Sequence, residues 1–145
     1  LEFRKLFEDT IVIIAPNGYP SSIALDNIKK YPFIMREQGS GTRNFFHSAL
    51  KKAGINPLTD LQIVAELTDT EAIKEAVKSG MGISCVSKMA VNEAISQGDI
   101  IVMRVKGMED LRRSFYLVSR KGKSLLPQVK ALIEIIDRWK EHDKI

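Results

Sequence analysis

The sequence predicts an α/β fold in which helices pack on a largely parallel sheet, and three observations carry that prediction. Apolar runs of strand length alternate with amphipathic stretches of helical period along the chain. Glycine stands where the first two of those stretches end, at Gly54 and Gly80, as a left-handed helix cap requires. Finally, 145 residues of which 44% are hydrophobic and 28% charged suffice to bury one compact core or two small lobes.

Taken in order, the first strand is the run Ile11 to Ala15, and the turn-rich stretch Pro16 to Ser22, with Asn17-Gly18 and Pro20, is a loop. Phe33 to Arg36 is the second strand. The helix after Gly39-Ser40-Gly41-Thr42 sets Phe45, Phe46, Ala49 and Leu50 at helical spacing before Gly54. A strand over Gln62 to Glu66 leads to a second helix opened by a capping-box pattern, Thr68-x-x-Glu71, which buries Ala72, Ile73, Ala76 and Val77. Gly82 to Val86 is a buried strand, Lys88 to Ile95 a short helix, and Ile100 to Val105 and Ser114 to Ser119 are two further strands. The last helix begins after Ser124 and tolerates Pro127 in its first turn. It aligns Leu125, Val129, Leu132, Ile133, Ile136 and Trp139 on one stripe, with Lys130, Glu134, Asp137 and Glu141 on the wet side.

Composition excludes several functions. No apolar run approaches the roughly 20 residues of a membrane span, and Glu2, Arg4 and Lys5 are unlike a signal peptide, so the chain is read as soluble and cytoplasmic. Cys85 is the sole cysteine, which rules out an internal disulfide, and its setting in Ile83-Ser84-Cys85-Val86 fits a buried strand residue better than a reactive thiolate. The net charge of +4 is spread along the chain and mixed with acids, and no helix-turn-helix with a basic recognition helix is present. His47 and His142 lie far apart without ligand spacing, and no nucleophile, base and orienting group fall together. Neither a metal, a cofactor nor catalysis is expected.

The most informative segment is Arg36-Glu37-Gln38-Gly39-Ser40-Gly41-Thr42-Arg43, because it follows an apolar strand and opens an amphipathic helix, where α/β proteins bind ligands. The glycines let a bound group approach the backbone, Ser40 and Thr42 offer hydroxyls, and the first N–H groups of the helix point at whatever sits there. An anion or carboxylate cradle and a simple helix cap on a tight turn both explain the segment. It is not a P-loop, and it lacks the third glycine of the dinucleotide fingerprint. Thr68 and Thr70 occupy the matching place after the next strand and face the same cleft or merely cap the helix. Arg112-Arg113, beside Glu109 and Asp110, reads as a mixed-charge loop.

Four stretches, in this order and spacing, resemble the effector-binding domain of LysR-type bacterial transcription regulators. They are Lys5 to Asp9 leading into Ile11 to Pro16, Tyr31 to Ile34 before Arg36 to Arg43, Thr70 to Ile73 with Gly80 to Ile83, and Phe115 to Val118 before Lys121-Gly122. The resemblance implies a fold like the type 2 periplasmic binding proteins, with two α/β lobes joined by two crossover strands and a small-molecule effector in the cleft. On that template Leu6 to Ala15 is the first crossover, Gly82 to Val86 the return, residues 16–82 the second lobe, and 83–145 the remainder of the first. Ligand contacts then fall on Gln38, Gly39, Ser40, Gly41, Thr42, Thr68 and Thr70.

The same template implies that the winged helix-turn-helix and the start of the first lobe precede Leu1. DNA binding is then a property of the full-length protein only, which is expected to be a dimer or tetramer without a membrane partner. An incomplete first lobe would leave apolar surface uncovered, so this chain is expected to self-associate or to be less stable than a complete domain. A solute-binding protein of a transport system shares the fold and is the main alternative. A prephenate-dehydratase-like lyase would carry a Thr-Arg-Phe motif, which Thr42-Arg43-Asn44-Phe45 only distorts. A peroxide sensor of the same regulator family would need a cysteine near Gly39.

Overall fold

A computed structural model describes residues 1–142. The elements run β1 (Glu2–Pro16), β2 (Ser22–Ile23), a 3-10 turn (Leu25–Lys30), β3 (Pro32–Arg36), α1 (Gly41–Lys52), β4 (Gln62–Leu67), α2 (Thr70–Lys78), β5 (Ile83–Ser87), a second 3-10 turn (Lys88–Ala90), α3 (Asn92–Ser96), β6 (Ile100–Val105), β7 (Arg112–Ser119) and α4 (Pro127–His142). They form two compact units, Thr10–Leu111 and the pair of segments Leu1–Asp9 with Arg112–Ile145.

The unit Thr10–Leu111 holds strands in the order β2-β6-β1-β5-β3-β4. Strand alternation sorts its side chains onto two faces. On one, Ile11, Ile13, Phe33, Met35 and Cys85 are buried with Phe46 and Leu50 of α1, where the Phe33 and Phe46 rings stack with centroids 5.4 Å apart. On the other, Ile14, Ile34, Val86 and Ile100 are buried with Ile73, Ala76 and Val77 of α2 and with Val91. Each fully buried Phe or Ile contributes about 1.5–3 kcal/mol relative to exposure. Ser84 lies on the α2 face and is fully buried; its hydroxyl donates to the Ile34 carbonyl at 2.6 Å, so it carries no unpaired polar atom into the core. The helix ends behave as their glycines require: Ile55 N–H reaches the Leu50 carbonyl past Gly54, and Met81 N–H reaches the Ala76 carbonyl past Gly80, which has φ +92.

In the other unit, Phe7 of β1 stacks on Phe115 of β7 at 4.7 Å and meets Trp139 of α4 edge-on at 5.5 Å. Asp9, 3% exposed, accepts hydrogen bonds on one oxygen from Arg113 Nε at 3.1 Å and Nη2 at 2.9 Å. Arg113 in turn lies 5.1 Å from the centroid of the Phe115 ring. Helix α4 starts at Pro127, two residues later than the expected start after Ser124, and buries Ile133, but Leu132 and Trp139 of the expected stripe remain exposed, as do Ile135, Phe3 and Tyr116.

The structure departs from the sequence reading at several further points, and Arg112-Arg113, expected in a mixed-charge loop, opens strand β7. The sheet is mixed rather than largely parallel: β3 runs parallel to β4 and β5, but β1 is antiparallel to β5 and β6, because β1 enters from the opposite direction. The boundary expected near residue 82 does not coincide with the observed division. Strand β5 bonds to β1 and β3, and β6 to β1 and β2, so residues 83–111 complete the same sheet, and the chain passes between units at Asp9–Thr10 and Leu111–Arg112. Gly82 to Val86 is therefore an interior strand and not a return crossover. Lys88 to Ile95 is broken into a 3-10 turn and a short helix, and β2 with the turn Leu25–Lys30 occupies a stretch with no repeating apolar pattern.

Candidate functional site

Strands β3 and β4 run parallel and end together, with Arg36 opposite Leu67, so the segments that follow them emerge at the same edge of the sheet. After β3, Gly39 adopts φ +88 and Ser40 turns the chain into α1. The buried Ser40 hydroxyl accepts from Arg43 N–H at 3.3 Å, and its carbonyl accepts from Asn44 N–H at 3.0 Å. Those two bonds leave the N–H groups of Gly41 and Thr42, at the positive end of the helix dipole, without an intrahelical acceptor. Gly41 is exposed and Thr42 half-buried, and the Thr42 hydroxyl has no partner among the described residues. Gln38 and Gly39 lie exposed on the rim.

After β4, the cap of α2 differs from the expected box. Asp69 occupies the N-cap and accepts from Glu71 N–H at 2.9 Å, while the Glu71 carboxylate pairs with Lys74 at 2.9 Å instead of reaching back. Thr68 sits one residue too early to cap and is exposed, with no side-chain partner among the described residues. Thr70 is the first helical residue, half-buried, and its hydroxyl lies 3.4 Å from Arg36 Nη1, a long contact.

Two arginines that sequence reasoning did not single out tie this edge together. Arg36 shares the face of Ile34, so its guanidinium swings toward α2, where a fork of bonds to Glu37 at 2.9 and 3.0 Å holds it. That bond raises the Arg36 pKa and holds the Glu37 carboxyl below the usual range. On the opposite face, Arg43 of α1 donates from Nη1 to the Arg36 carbonyl at 2.8 Å and to Glu66 of β4 at 3.0 Å, joining the ends of both strands. The available signal was alternation: Arg36 continues the α2-facing series from Ile34, and Arg43 falls one residue after the threonine of the loop. The structure thus brings the Gly39–Thr42 loop and Thr70 to one sheet edge and assigns Ser40 chiefly to capping.

Elsewhere, Cys85 is fully buried among apolar side chains. His47 of α1 has its pKa lowered by burial and by the neighbouring Arg43 and Lys51. Among the described residues no cluster of three or more His, Cys, Asp or Glu side chains could hold a metal ion, and no helix is long and apolar enough to cross a membrane.

Residues 1–140 match the family model for the LysR substrate binding domain. The chain is 33% identical over 140 residues to a RuBisCO operon transcriptional regulator of Allochromatium vinosum, covering 94% of this chain and 45% of that protein. It is 35% identical over 134 residues to the HTH-type transcriptional regulator CbbR of Rhodospirillum rubrum, covering 91% and 43%. It therefore spans under half the length of either relative. Its fold resembles the Synechocystis CcmR regulatory domain solved in complex with 2-PG, with TM-score 0.78, 24% identity and coverage of 93% of this chain and 64% of that one. It also resembles the effector-binding domain of QuiR in complex with shikimate, with TM-score 0.72, 22% identity and coverage of 97% and 66%. With its α/β architecture like that of the periplasmic binding proteins, this chain belongs to the LysR substrate-binding-domain family.

Proposed function

We propose that this chain senses a small anionic effector on behalf of a longer LysR-type transcription regulator, and that occupancy of the site modulates DNA binding by the full-length, oligomeric protein in the cytoplasm. One observation supports the anionic reading above the others. The unsatisfied N–H groups of Gly41 and Thr42, the Thr42 hydroxyl, and the Arg36 guanidinium beside Thr70 are all donors at the ends of two neighbouring parallel strands. Glu37 is the resident partner of Arg36, and it sits on the segment that leads into the loop; a ligand carboxylate or phosphate is its natural competitor. Gln38 and Thr68 supply further polar groups at the rim. No bond in the effector has to break. The ligand acts by its difference in affinity between two arrangements of the regulator, and it can shift that equilibrium by no more than this difference.

A thermal-shift screen tests the proposal, with shikimate and 2-PG heading a set of small carboxylates, sulfate and phosphate. A ligand at about 100 times its Kd adds about 2.7 kcal/mol to stability, which shifts the melt visibly. Thr42→Ala is expected to weaken the hit while leaving the ligand-free melt in place. Undiminished affinity in that variant removes the loop from the site.

A further inference from the structure

A cavity lies in the same unit, away from the Gly39–Thr42 loop, and its origin is a change of partner within one strand. Residues Ile100–Met103 of β6 pair antiparallel with β1, whereas Arg104 and Val105 pair parallel with Ser22 and Ile23 of β2. Past the Ile13–Met103 pair the two strands therefore separate. The chain then turns at Gly107 and returns to β1 only at Leu111, whose carbonyl accepts from Ile11 N–H at 2.8 Å. The open hollow along the parted strands has a volume of about 570 Å³, within the usual range for small-molecule sites.

Its lining sorts into two zones. Val12 and Val102, both half-buried, share its sheet face with Lys88 and Arg104 and give it an apolar floor, whereas the side chains of Ile11, Ile13, Met103 and Val105 turn into the core on the opposite face. Lys88, Arg104 and Glu109 are exposed at its mouth, and none of the three has a salt bridge or side-chain hydrogen bond to another described residue. Elsewhere in the chain, cations such as Arg36, Arg43, Lys74 and Arg113 are matched to carboxylates. Two unmatched cations against one carboxylate leave the mouth with a net positive charge, above a floor that rewards burial of hydrocarbon.

We infer that this cavity is a second ligand site, distinct from the Gly39–Thr42 loop, that takes a small carboxylic acid with an apolar body. The carboxylate lies between Lys88 and Arg104, and the hydrocarbon packs on Val12 and Val102. Inorganic anions lack the apolar body and bind there weakly. The inference stands whether or not the loop binds an effector.

The experiment is an amide chemical-shift titration of the chain with benzoate, cyclohexanecarboxylate and 4-methylpentanoate up to about 10 mM, ten times the Kd of a millimolar site, with inorganic phosphate as the control. At least one acid is expected to shift Thr10–Ile13 and Val102–Leu111, phosphate much less so. The double variant K88Q/R104Q, which alters only exposed side chains, is expected to weaken that acid at least about tenfold, the 1.4 kcal/mol of a lost charge-assisted contact. T42A leaves it unchanged. The inference is overturned if all three acids leave these residues unshifted, if phosphate shifts them equally, or if the double variant binds as the parent does.

Discussion

Gly82 is the position at which one added carbon is expected to do most damage. A Cβ built there would lie 2.3 Å from the Pro32 carbonyl oxygen and 2.9 Å from its carbon. An ordinary close carbon–oxygen contact is about 3.3 Å, so the backbone must give way by about 1 Å. Pro32 opens β3, which is held on its other side by the Pro32–Gln62 and Phe33–Ile63 pairs with β4, so the movement falls on the neighbouring Phe33–Ile83 pair between β3 and β5. Strands sit about 4.8 Å apart, and opening them by 1 Å removes the ladder hydrogen bonds locally. Overpacking of 1–3 kcal/mol plus about 1 kcal/mol for a lost bond gives about 3 kcal/mol for Gly82→Ala. For a domain of this size each kcal/mol moves Tm by about 3–4 °C, so the melt falls by about 10 °C. Gly80→Ala is the control, since its Cβ meets nothing within 4 Å and suffers only from the left-handed backbone, at about 1 kcal/mol. Both variants stiffen the unfolded chain alike, so that contribution cancels between them. Thermal melts followed by circular dichroism decide the matter: Gly82→Ala melting no lower than Gly80→Ala would refute the steric argument.

Four further outcomes follow. Ser40→Ala removes the cap of α1 and is expected to cost about 1 kcal/mol in a denaturant titration. Asp9→Asn keeps the shape but not the charge at a buried acceptor of two Arg113 bonds, and about 2 kcal/mol of stability should disappear. His47 has a folded pKa below the ordinary 6.5, so the unfolded chain binds more protons, and its contribution is complete above pH 6.5 and lost as pH falls. His47→Asn should therefore reduce the loss of stability between about pH 7.5 and 5, as read from melts at each pH. The apolar side chains Phe3, Tyr116, Leu132 and Ile135 are exposed together with Trp139, and sedimentation velocity should show association rising with concentration. A monomer at every concentration contradicts that expectation.

The parts of the fold legible in the sequence are those set by local rules. Strands β3, β4, β5 and β6 begin and end close to their apolar runs, and α1 starts just after its cap Ser40 and α4 at Pro127 because a hydroxyl cap and a first-turn proline act within a few residues. What stayed hidden depends on distant partners. Glu2–Asp9 carries four charged residues before Asp9 and reads as polar, yet pairing with β7 makes it strand. Ser22–Ile23 is strand only because β6 leaves β1 there. The unit boundary was misplaced because nothing local distinguishes an interior strand from a crossover. In the candidate site the loop was visible through its glycines and hydroxyls, whereas Arg36 and Arg43 were not, since their partners Thr70 and Glu66 lie 34 and 23 residues away.

The central claim is that an anionic effector binds on the α1 N-terminus and its neighbour at the end of β4. The most direct measurement is amide chemical-shift mapping with the strongest ligand from the thermal screen. The account predicts that the Gly41 and Thr42 amides move downfield as they donate to the anion, with Thr70 shifting alongside. A saturating ligand that leaves all three amides in place would contradict it.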